Sequence, residues 1–274
     1  MAAPRRRKLS ALILVIAAVM LSGCTFSLDW YRQYRAKLAI EAHNYPAGLE
    51  ILQKIVQSNP DAPSALSAAR YGATVAHLNA KNYGLAIEFF RHLEVRSDDP
   101  EERKRAQKLI AQIEFENIQD FNQAVIEYEK LLRLDVTPDE SFRYRLNLAK
   151  SQLHLTNIDQ AVVELDILLS QKHTPDEIFE ARVLKANTLI AAKRIPESVA
   201  AWKEILKEFP ERSKKENVAL NLVVIYEELK DFGKAIEVLE SMRAGYAHPD
   251  FLDVRIQRLR QRMGNQPGAQ GLKR

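Results

Sequence analysis

Residues 157–168 read NIDQAVVELDIL, and this segment decides the fold because its pattern returns along the chain. Its centre is the small residue Ala161, with apolar Ile158 three positions before it and apolar Leu165 and Leu168 four and seven positions after it. These intervals place the four residues on one face of a helix. Asn157 directly precedes them, and its side chain competes with a preceding helix for backbone hydrogen bonds. The segment therefore predicts a break followed by a helix.

The same pattern occurs six times. The small residues are 38, 38, 37, 37 and 37 positions apart: Gly48, Ala86, Ala124, Ala161, Ser198 and Ala235. Bulky residues follow four positions later: Leu52, Phe90, Tyr128, Leu165, Trp202 and Leu239. A proline closes each repeat and is expected to begin the next helix: Pro60, Pro100, Pro138, Pro175, Pro210 and Pro249. Small residues let two helices approach closely, and proline is well tolerated in a first helical turn. The repeats therefore predict stacked helix pairs.

This repeat resembles the tetratricopeptide repeat (TPR), in which a helix A and a helix B form each unit. The resemblance also rests on Phe115 and Tyr226 late in helix A and on the pair Leu148-Ala149. The period is longer than the 34 residues typical of the family. The resemblance implies an all-α fold, a right-handed α-solenoid of six TPR-like helix pairs plus a C-terminal capping helix. The helix B segments are expected near 46–58, 83–96, 121–133, 158–171, 195–208 and 232–244, and the capping helix near 249–263.

The N-terminal residues have the pattern of a targeting signal. A basic cluster at 5–8 precedes an apolar run from Leu9 to Leu21, which is too short for the roughly 20 residues that span a bilayer. The run closes on Leu21-Ser22-Gly23-Cys24, which resembles the lipobox of bacterial lipoproteins. The resemblance implies cleavage after Gly23 and a lipid on Cys24. The alternative is a short signal anchor, or a secretory peptide in which a cysteine happens to follow glycine.

The domain organisation follows from these signals. We expect a lipoprotein signal peptide at 1–23, a lipidated N-terminus and short tether at 24–27, six repeats at 28–244, a capping helix at 245–263 and a disordered tail at 264–274. The chain carries 40 basic and 36 acidic residues, but residues 1–23 contain four of the bases and no acid, which leaves 36 of each. The basic excess therefore belongs to the signal and gives no reason to expect a nucleic-acid partner.

Motifs for catalysis are missing from the sequence. The six histidines are scattered, with no HExxH motif, and the single cysteine rules out CxxC. No glycine-rich phosphate loop and no nucleophile elbow is present. We therefore predict a protein that is not an enzyme, with no catalytic or metal-binding residue, no cofactor and no small-molecule substrate.

Binding is expected in the inner groove of the solenoid, which helix A residues line. By the TPR pattern, Asn147, Lys150, Asn187 and Asn221 occupy helix A positions that often face the groove. These four are the predicted peptide-binding residues, and the alternative is that they are ordinary solvated residues. The complete Lys/Asn clamp for a free C-terminal carboxylate is not present.

Two further groups have two interpretations each. We expect Trp30, Tyr31 and Tyr34 to pack the first helix against the second; the alternative places them in the lipid headgroup zone near Cys24. The arginines of the capping helix are expected to form a solvated face, and the alternative is contact with lipid phosphates or an anionic wall polymer.

The two resemblances imply a membrane-anchored scaffold that binds protein partners of a bacterial envelope assembly complex. The nearest analogies are outer-membrane β-barrel assembly and type IV pilus secretin assembly. Thr25, where inner-membrane lipoproteins often carry Asp, favours the outer membrane facing the periplasm. The alternatives are a peptidoglycan-associated lipoprotein that regulates cell-wall enzymes and an enzyme accessory within a transport complex.

Overall fold

The computed structural model describes residues 28–265, and this part of the chain contains helices and no strand. It forms two compact units that divide between Asp135 and Val136. The first unit contains α1 (28–41), α2 (Tyr45–Ser58), α3 (Pro63–Thr74, continued by a π-helical turn Val75–Asn79), α4 (Tyr83–Arg96), α5 (Pro100–Gln112, continued by a π-helical turn Ile113–Ile118) and α6 (Phe121–Leu132). Within 28–265, no helix combines the length and the apolar character that crossing a membrane would require.

The second unit contains the remaining helices. They are α7 (Pro138–His154), α8 (Ile158–Leu169), α9 (Pro175–Ala191), α10 (Ile195–Glu208), α11 (Pro210–Lys215), α12 (Ala219–Glu228), α13 (Phe232–Met242) and α14 (Pro249–Gly264). Thr137 and Thr174 form capping boxes with Glu140 and Glu177 at the starts of α7 and α9. Because every element within residues 28–265 is a helix, the predicted all-α fold is confirmed.

The repeat pattern sets where the helices begin. The six predicted helix B segments are α2, α4, α6, α8, α10 and α13, and each begins within one residue of its expected start. All six small residues are buried. A Cβ atom added to Gly48 would lie 2.5 Å from Cγ1 of Ile40, so the contact between α1 and α2 requires glycine there. At Gly48, the small-residue column thus lies in a close contact between the two helices of the pair.

A residue with left-handed backbone precedes the cap of each helix B. These residues have φ between 51° and 62°: His43, Lys81, Gln119, Thr156, Lys193 and Lys230. At Thr156 the N–H donates to the Leu153 carbonyl (2.9 Å), and the next N–H, of Asn157, donates to the Gln152 carbonyl (2.8 Å). This pattern closes a helix end through a left-handed residue. Helix A therefore ends and helix B begins within three residues.

Replacing Thr156 with glycine is expected to raise the free energy of unfolding by about 1 kcal/mol, because a β-branched residue is strained at positive φ. Thr156 (φ 62°) is the β-branched member of the seven non-glycine residues at positive φ in 28–265. Urea denaturation of Thr156→Gly measures the gain. The control is Asn217→Gly at φ 53°, where asparagine already tolerates the conformation. A gain of the same size in both variants would contradict the explanation by branching.

Three details differ from the sequence-based expectations. Helix α3 begins at Pro63 and not at Pro60, because the Asn59 carbonyl accepts the Ala62 N–H (3.1 Å) and closes a turn there. The sixth helix A is broken into α11 and α12 around the left-handed Asn217. Gly264, the expected first residue of the tail, is the last residue of α14. Cys24 and residues 266–274 lie outside the described residues, so the lipid and the disordered tail remain predictions.

Candidate protein-interaction site

The aromatic residues of α1 are exposed. Trp30 is 66% exposed, and Tyr31 and Tyr34 are each 50% exposed, so the prediction that they pack α1 against α2 is wrong. Ala36 and Ile40 make that contact instead, on the buried face of α1 and next to Gly48. Successive helix residues are rotated by about 100°, which places the three rings on other faces.

Trp30 and Tyr34 line a pocket between α1 and α3. Their rings are stacked, with centroids 6.0 Å apart and planes 8° from parallel. The pocket has a volume of about 440 Å³, and we call it the aromatic pocket; its lining residues are Trp30, Gln33, Tyr34, Lys37, Leu52, Ser67, Ala68 and Tyr71. Leu52, which belongs to the repeat column, is buried at its base. The pocket therefore offers apolar rings to a partner.

Polar contacts hold the two walls of the aromatic pocket together. Ser64 Oγ of α3 donates to Asp29 Oδ2 of α1 (2.8 Å), and Gln33 Nε2 donates to the Ser64 carbonyl (2.9 Å). Asp29 is buried, so this contact is shielded from water. The spacing of the walls is thereby set before a ligand enters, which lowers the entropic cost of binding.

The charges around the aromatic pocket favour a protein segment as ligand. Lys37 Nζ lies 3.8 Å from Glu41 Oε1, in an exposed pair that contributes little to stability. Burial, and then the Glu41 carboxylate, raise the pKa of the Tyr71 phenol, so it keeps its proton at neutral pH. The pocket can accept an aromatic or aliphatic side chain while the Tyr71 hydroxyl and the Lys37 ammonium donate to carbonyl or carboxylate oxygens.

A second pocket of about 410 Å³ lies further along α3. Arg70 and Glu102 line it together with the apolar Leu78 and Leu109. Arg70 lines this second pocket, and the next residue, Tyr71, lines the aromatic pocket. Helix α3 therefore contributes side chains to both pockets. The first unit therefore carries two adjoining depressions that a single extended segment can occupy.

Glu102 is expected to make acid stability depend on Arg70. The Arg70 guanidinium donates to both carboxylate oxygens of Glu102 (2.6 and 2.7 Å), and Ser97 Oγ donates to one of them. Burial raises the pKa of Glu102, but the hydrogen bonds from Arg70 and Ser97 outweigh it and lower this pKa to about 2. A depressed folded-state pKa adds stability that is present above the ordinary carboxyl pKa of about 4.5 and is lost as the pH falls toward 2.

Glu102→Gln should therefore lower the free energy of unfolding by about 2 kcal/mol at pH 7, a value reduced for the exposure of Arg70. The loss should shrink between pH 4.5 and pH 2, measured by urea denaturation at each pH. The control is Glu101→Gln, since the Glu101 carboxylate makes no ion pair in the described part of the chain. Equal pH profiles for the two variants would contradict this role of Glu102.

The four predicted binding residues all lie in the second unit. Lys150 of α7 pairs with Glu180 of α9 (3.2 Å), so its ammonium is already engaged. Asn221 Nδ2 donates to the Val218 carbonyl (3.0 Å), and Asn147 is half-buried, with its carbonyl accepting from Ser151 Oγ. Asn187 is exposed on α9. Their role in binding stays a prediction.

The C-terminal helix carries a pocket of about 630 Å³. We call it the arginine pocket; it is lined by Glu227, Asp250, Phe251, Val254, Arg255, Arg258, Leu259 and Arg262. Arg255 and Arg262 both approach the Glu227 carboxylate (2.8 and 3.5 Å). Arg258 is exposed and makes no ion pair within residues 28–265. This pocket therefore offers an open guanidinium beside apolar side chains.

Among residues 28–265, no group of three or more His, Cys, Asp or Glu side chains is placed to hold a metal ion.

Sequence reasoning missed the aromatic pocket, although its signal is visible: Trp30 and Tyr34 are four residues apart on a helix, which puts both rings on one face.

Comparison with solved structures finds the same kind of helix pairs in other proteins. The Naa15/Naa10 complex bound to HypK-THB matches with a TM-score of 0.54 and 13% identity, over 85% of this chain and 39% of that chain. YrrB, a TPR protein with an unusual peptide-binding site, matches with a TM-score of 0.49 and 15% identity, over 76% of this chain and 97% of its own. PilW, a widely conserved type IV pilus biogenesis factor, matches with a TM-score of 0.48 and 14% identity, over 84% and 98%.

No protein-family model and no curated protein matches this chain. At 13% identity, the likeness to the Naa15/Naa10 complex establishes the fold alone. The repeats and the helix pairs together define an all-α protein with a TPR-type fold.

Proposed function

We propose that this protein is a lipid-anchored TPR scaffold that binds protein partners of a bacterial envelope assembly complex, in outer-membrane protein assembly or in type IV pilus secretin assembly. The lipobox-like residues that end at Cys24 support the anchor, and Thr25 supports the outer membrane. The aromatic pocket is the observation that carries the binding role, because three exposed aromatic rings line one preformed cleft on a repeat fold.

The occupant of the aromatic pocket is a protein segment with an aromatic or aliphatic anchor residue. Buried aromatic contacts provide much of the energy in protein interfaces. Lys37 at the same pocket favours an acidic residue beside that anchor. The second pocket, which Arg70 and Glu102 line, offers further surface along α3 for a longer segment.

Photo-crosslinking in living cells tests this proposal. A photoreactive phenylalanine at Tyr34 of the full-length protein should yield a product with one subunit of an envelope assembly machine, identified by mass spectrometry. The matched control carries the same group at Ile126 on α6, a helix B residue of similar exposure. Products that form equally from both positions, or only from Ile126, would overturn the aromatic pocket as the binding site.

Cys24→Ala is expected to move the protein from the membrane fraction to the soluble fraction, because the substitution removes the residue that carries the lipid. Far-UV circular dichroism should be unchanged, since Cys24 precedes α1. The measurement is carbonate washing and immunoblotting, with Ser27→Ala as the matched control. A Cys24→Ala protein that stays in the membrane fraction after the carbonate wash would contradict the proposed lipid anchor.

The arginine pocket favours a second candidate, a lipoprotein that binds peptidoglycan and regulates cell-wall enzymes. The Arg258 guanidinium can pair with stem-peptide carboxylates. Arg258→Gln should reduce co-sedimentation with purified sacculi, whereas Arg260→Gln, at an arginine already paired with Glu240 (2.8 Å), should not. Deleting α14 is unsuitable as a test, because Leu252, Ile256 and Leu259 of this helix are buried in the core.

A further inference from the structure

Helix α1 has a second exposed face, separate from the aromatic pocket. Leu28, Tyr31 and Leu38 are 47%, 50% and 43% exposed, and Arg35 is exposed among them. At about 100° per residue these four side chains fall within about 80° of one another. We call them the outer stripe.

No described helix covers the outer stripe. Asp29 and Gln33 face α3, and Ala36 and Ile40 face α2. Helical rotation places these four residues within about 60° of one another, on the side nearly opposite the outer stripe. The stripe therefore stays open after both neighbours of α1 have packed.

The outer stripe lies a short distance along the chain from Cys24. Leu28 follows Cys24 by four residues. Four extended residues span at most about 14 Å, and the headgroup layer of a bilayer is about 5–8 Å deep. A lipid on Cys24 therefore holds the first turn of α1 within reach of the headgroups.

The chemistry of the outer stripe suits that layer. Leucine and tyrosine side chains are favoured at the boundary between headgroups and acyl chains. Arg35 Nη1 lies 3.4 Å from the Tyr31 hydroxyl, so the guanidinium and the phenol are close enough to donate to one lipid phosphate group. With 14 residues, α1 is about 21 Å long, which is shorter than the roughly 30 Å hydrocarbon core of a bilayer.

We infer that α1 is an interfacial helix whose outer stripe rests on the lipid headgroups of the membrane in which Cys24 is anchored, an inference that rests on the proposed lipidation. The centre of the Trp30–Tyr34 pair lies about 100° round the helix from the centre of the outer stripe. The aromatic pocket then opens sideways next to the bilayer, where it meets protein segments that emerge from the membrane.

The test places a single tryptophan in the outer stripe of the full-length lipidated protein. Trp30 and Trp202 are the two tryptophans of the chain. The variant Trp30→Phe, Trp202→Phe, Tyr31→Trp is reconstituted into vesicles of phosphatidylethanolamine and phosphatidylglycerol with brominated acyl chains. Its tryptophan emission should be about two-fold lower in these vesicles than in vesicles with unbrominated acyl chains, and iodide in the solution should not quench it. The control, Trp30→Phe alone, reports from Trp202, which is fully buried and should respond to neither quencher.

A second comparison separates the outer stripe from the lipid. Adding Leu28→Ser and Leu38→Ser should restore iodide quenching while the protein still floats with the vesicles. The matched control adds Val95→Ser and Leu229→Ser, at residues of equal or greater exposure, and should keep the protection.

The outcomes are distinguishable. A wild-type protein that does not float with vesicles would refute the lipid anchor, and with it the proposed function. A Tyr31→Trp protein that floats but whose introduced indole is quenched by iodide and not by bromine would overturn the interfacial helix alone. Protection from both quenchers would show that protein, such as a second copy of this chain, covers the stripe, and would also overturn the inference.

Discussion

Trp202→Ala is expected to lower the free energy of unfolding by about 4 kcal/mol, because removing a fully buried indole leaves a large cavity. Trp202 is 0% exposed and packs in the core of the second unit with Phe179, Ile205 and Leu222. Trp202 lies four residues after the small residue of its repeat. In each repeat, the side chain at this position is expected to fill the space between facing helices. Urea denaturation followed by far-UV circular dichroism measures the loss.

Trp202→Phe is the matched variant and should cost less than about 1.5 kcal/mol. The Trp202 indole N–H is buried and has no hydrogen-bond partner among residues 28–265, so phenylalanine removes an unsatisfied donor while it keeps a ring. Phe90 and Tyr128 fill the same column in other repeats. Equal losses for the alanine and phenylalanine variants would show that the cavity does not determine the effect.

Glu127→Ala is expected to lower the free energy of unfolding by about 3 kcal/mol, because it removes the buried anion that three neighbouring side chains bind. The Glu127 side chain is 1% exposed, Arg91 Nη2 donates to its Oε1 (2.7 Å), and Gln107 Nε2 donates to its Oε2. Burial pushes the pKa of Glu127 upward, but hydrogen bonds from Arg91 and Gln107 and the nearby Lys130 outweigh it and lower the pKa. The carboxylate is therefore charged at neutral pH.

Glu94→Ala is the control for this variant, because Glu94 is the other carboxylate partner of Arg91 (2.9 Å) and is closer to solvent. It should cost less than about 1 kcal/mol. Since the folded pKa of Glu127 is lowered, its contribution is present above the ordinary carboxyl pKa and is lost on acidification. If the two variants lost equal stability at pH 7, the buried network would not have the role described here.

The helix B segments were predictable because each depends on residues within one helical turn of the small residue. The starts at Tyr83, Phe121 and Ile158 agree with the sequence to the residue. The left-handed turns before them were not predictable, because lysine, histidine, glutamine and threonine occupy positions where glycine would be the usual signal.

The candidate site was less predictable than the fold. The four groove residues were chosen by position in the repeat, and contacts across helices decide whether such residues are open: Lys150 pairs with Glu180, thirty residues away. The aromatic pocket depends on which face of α1 its neighbours leave free, and a repeat pattern does not contain that information for the first described helix.

The sequence by itself determined the helix pairs and their small-residue contacts, and it predicts the targeting signal that ends at Cys24. These features are local, because periodicity within a helix fixes which face becomes apolar and buried. Only the tertiary structure decided that Trp30, Tyr34 and Tyr71 line one pocket, that the outer stripe of α1 stays open, and that Glu127 meets Arg91. Each of these arrangements joins residues from different helices or depends on a face of α1 that no helix within residues 28–265 covers, so packing in three dimensions determines it.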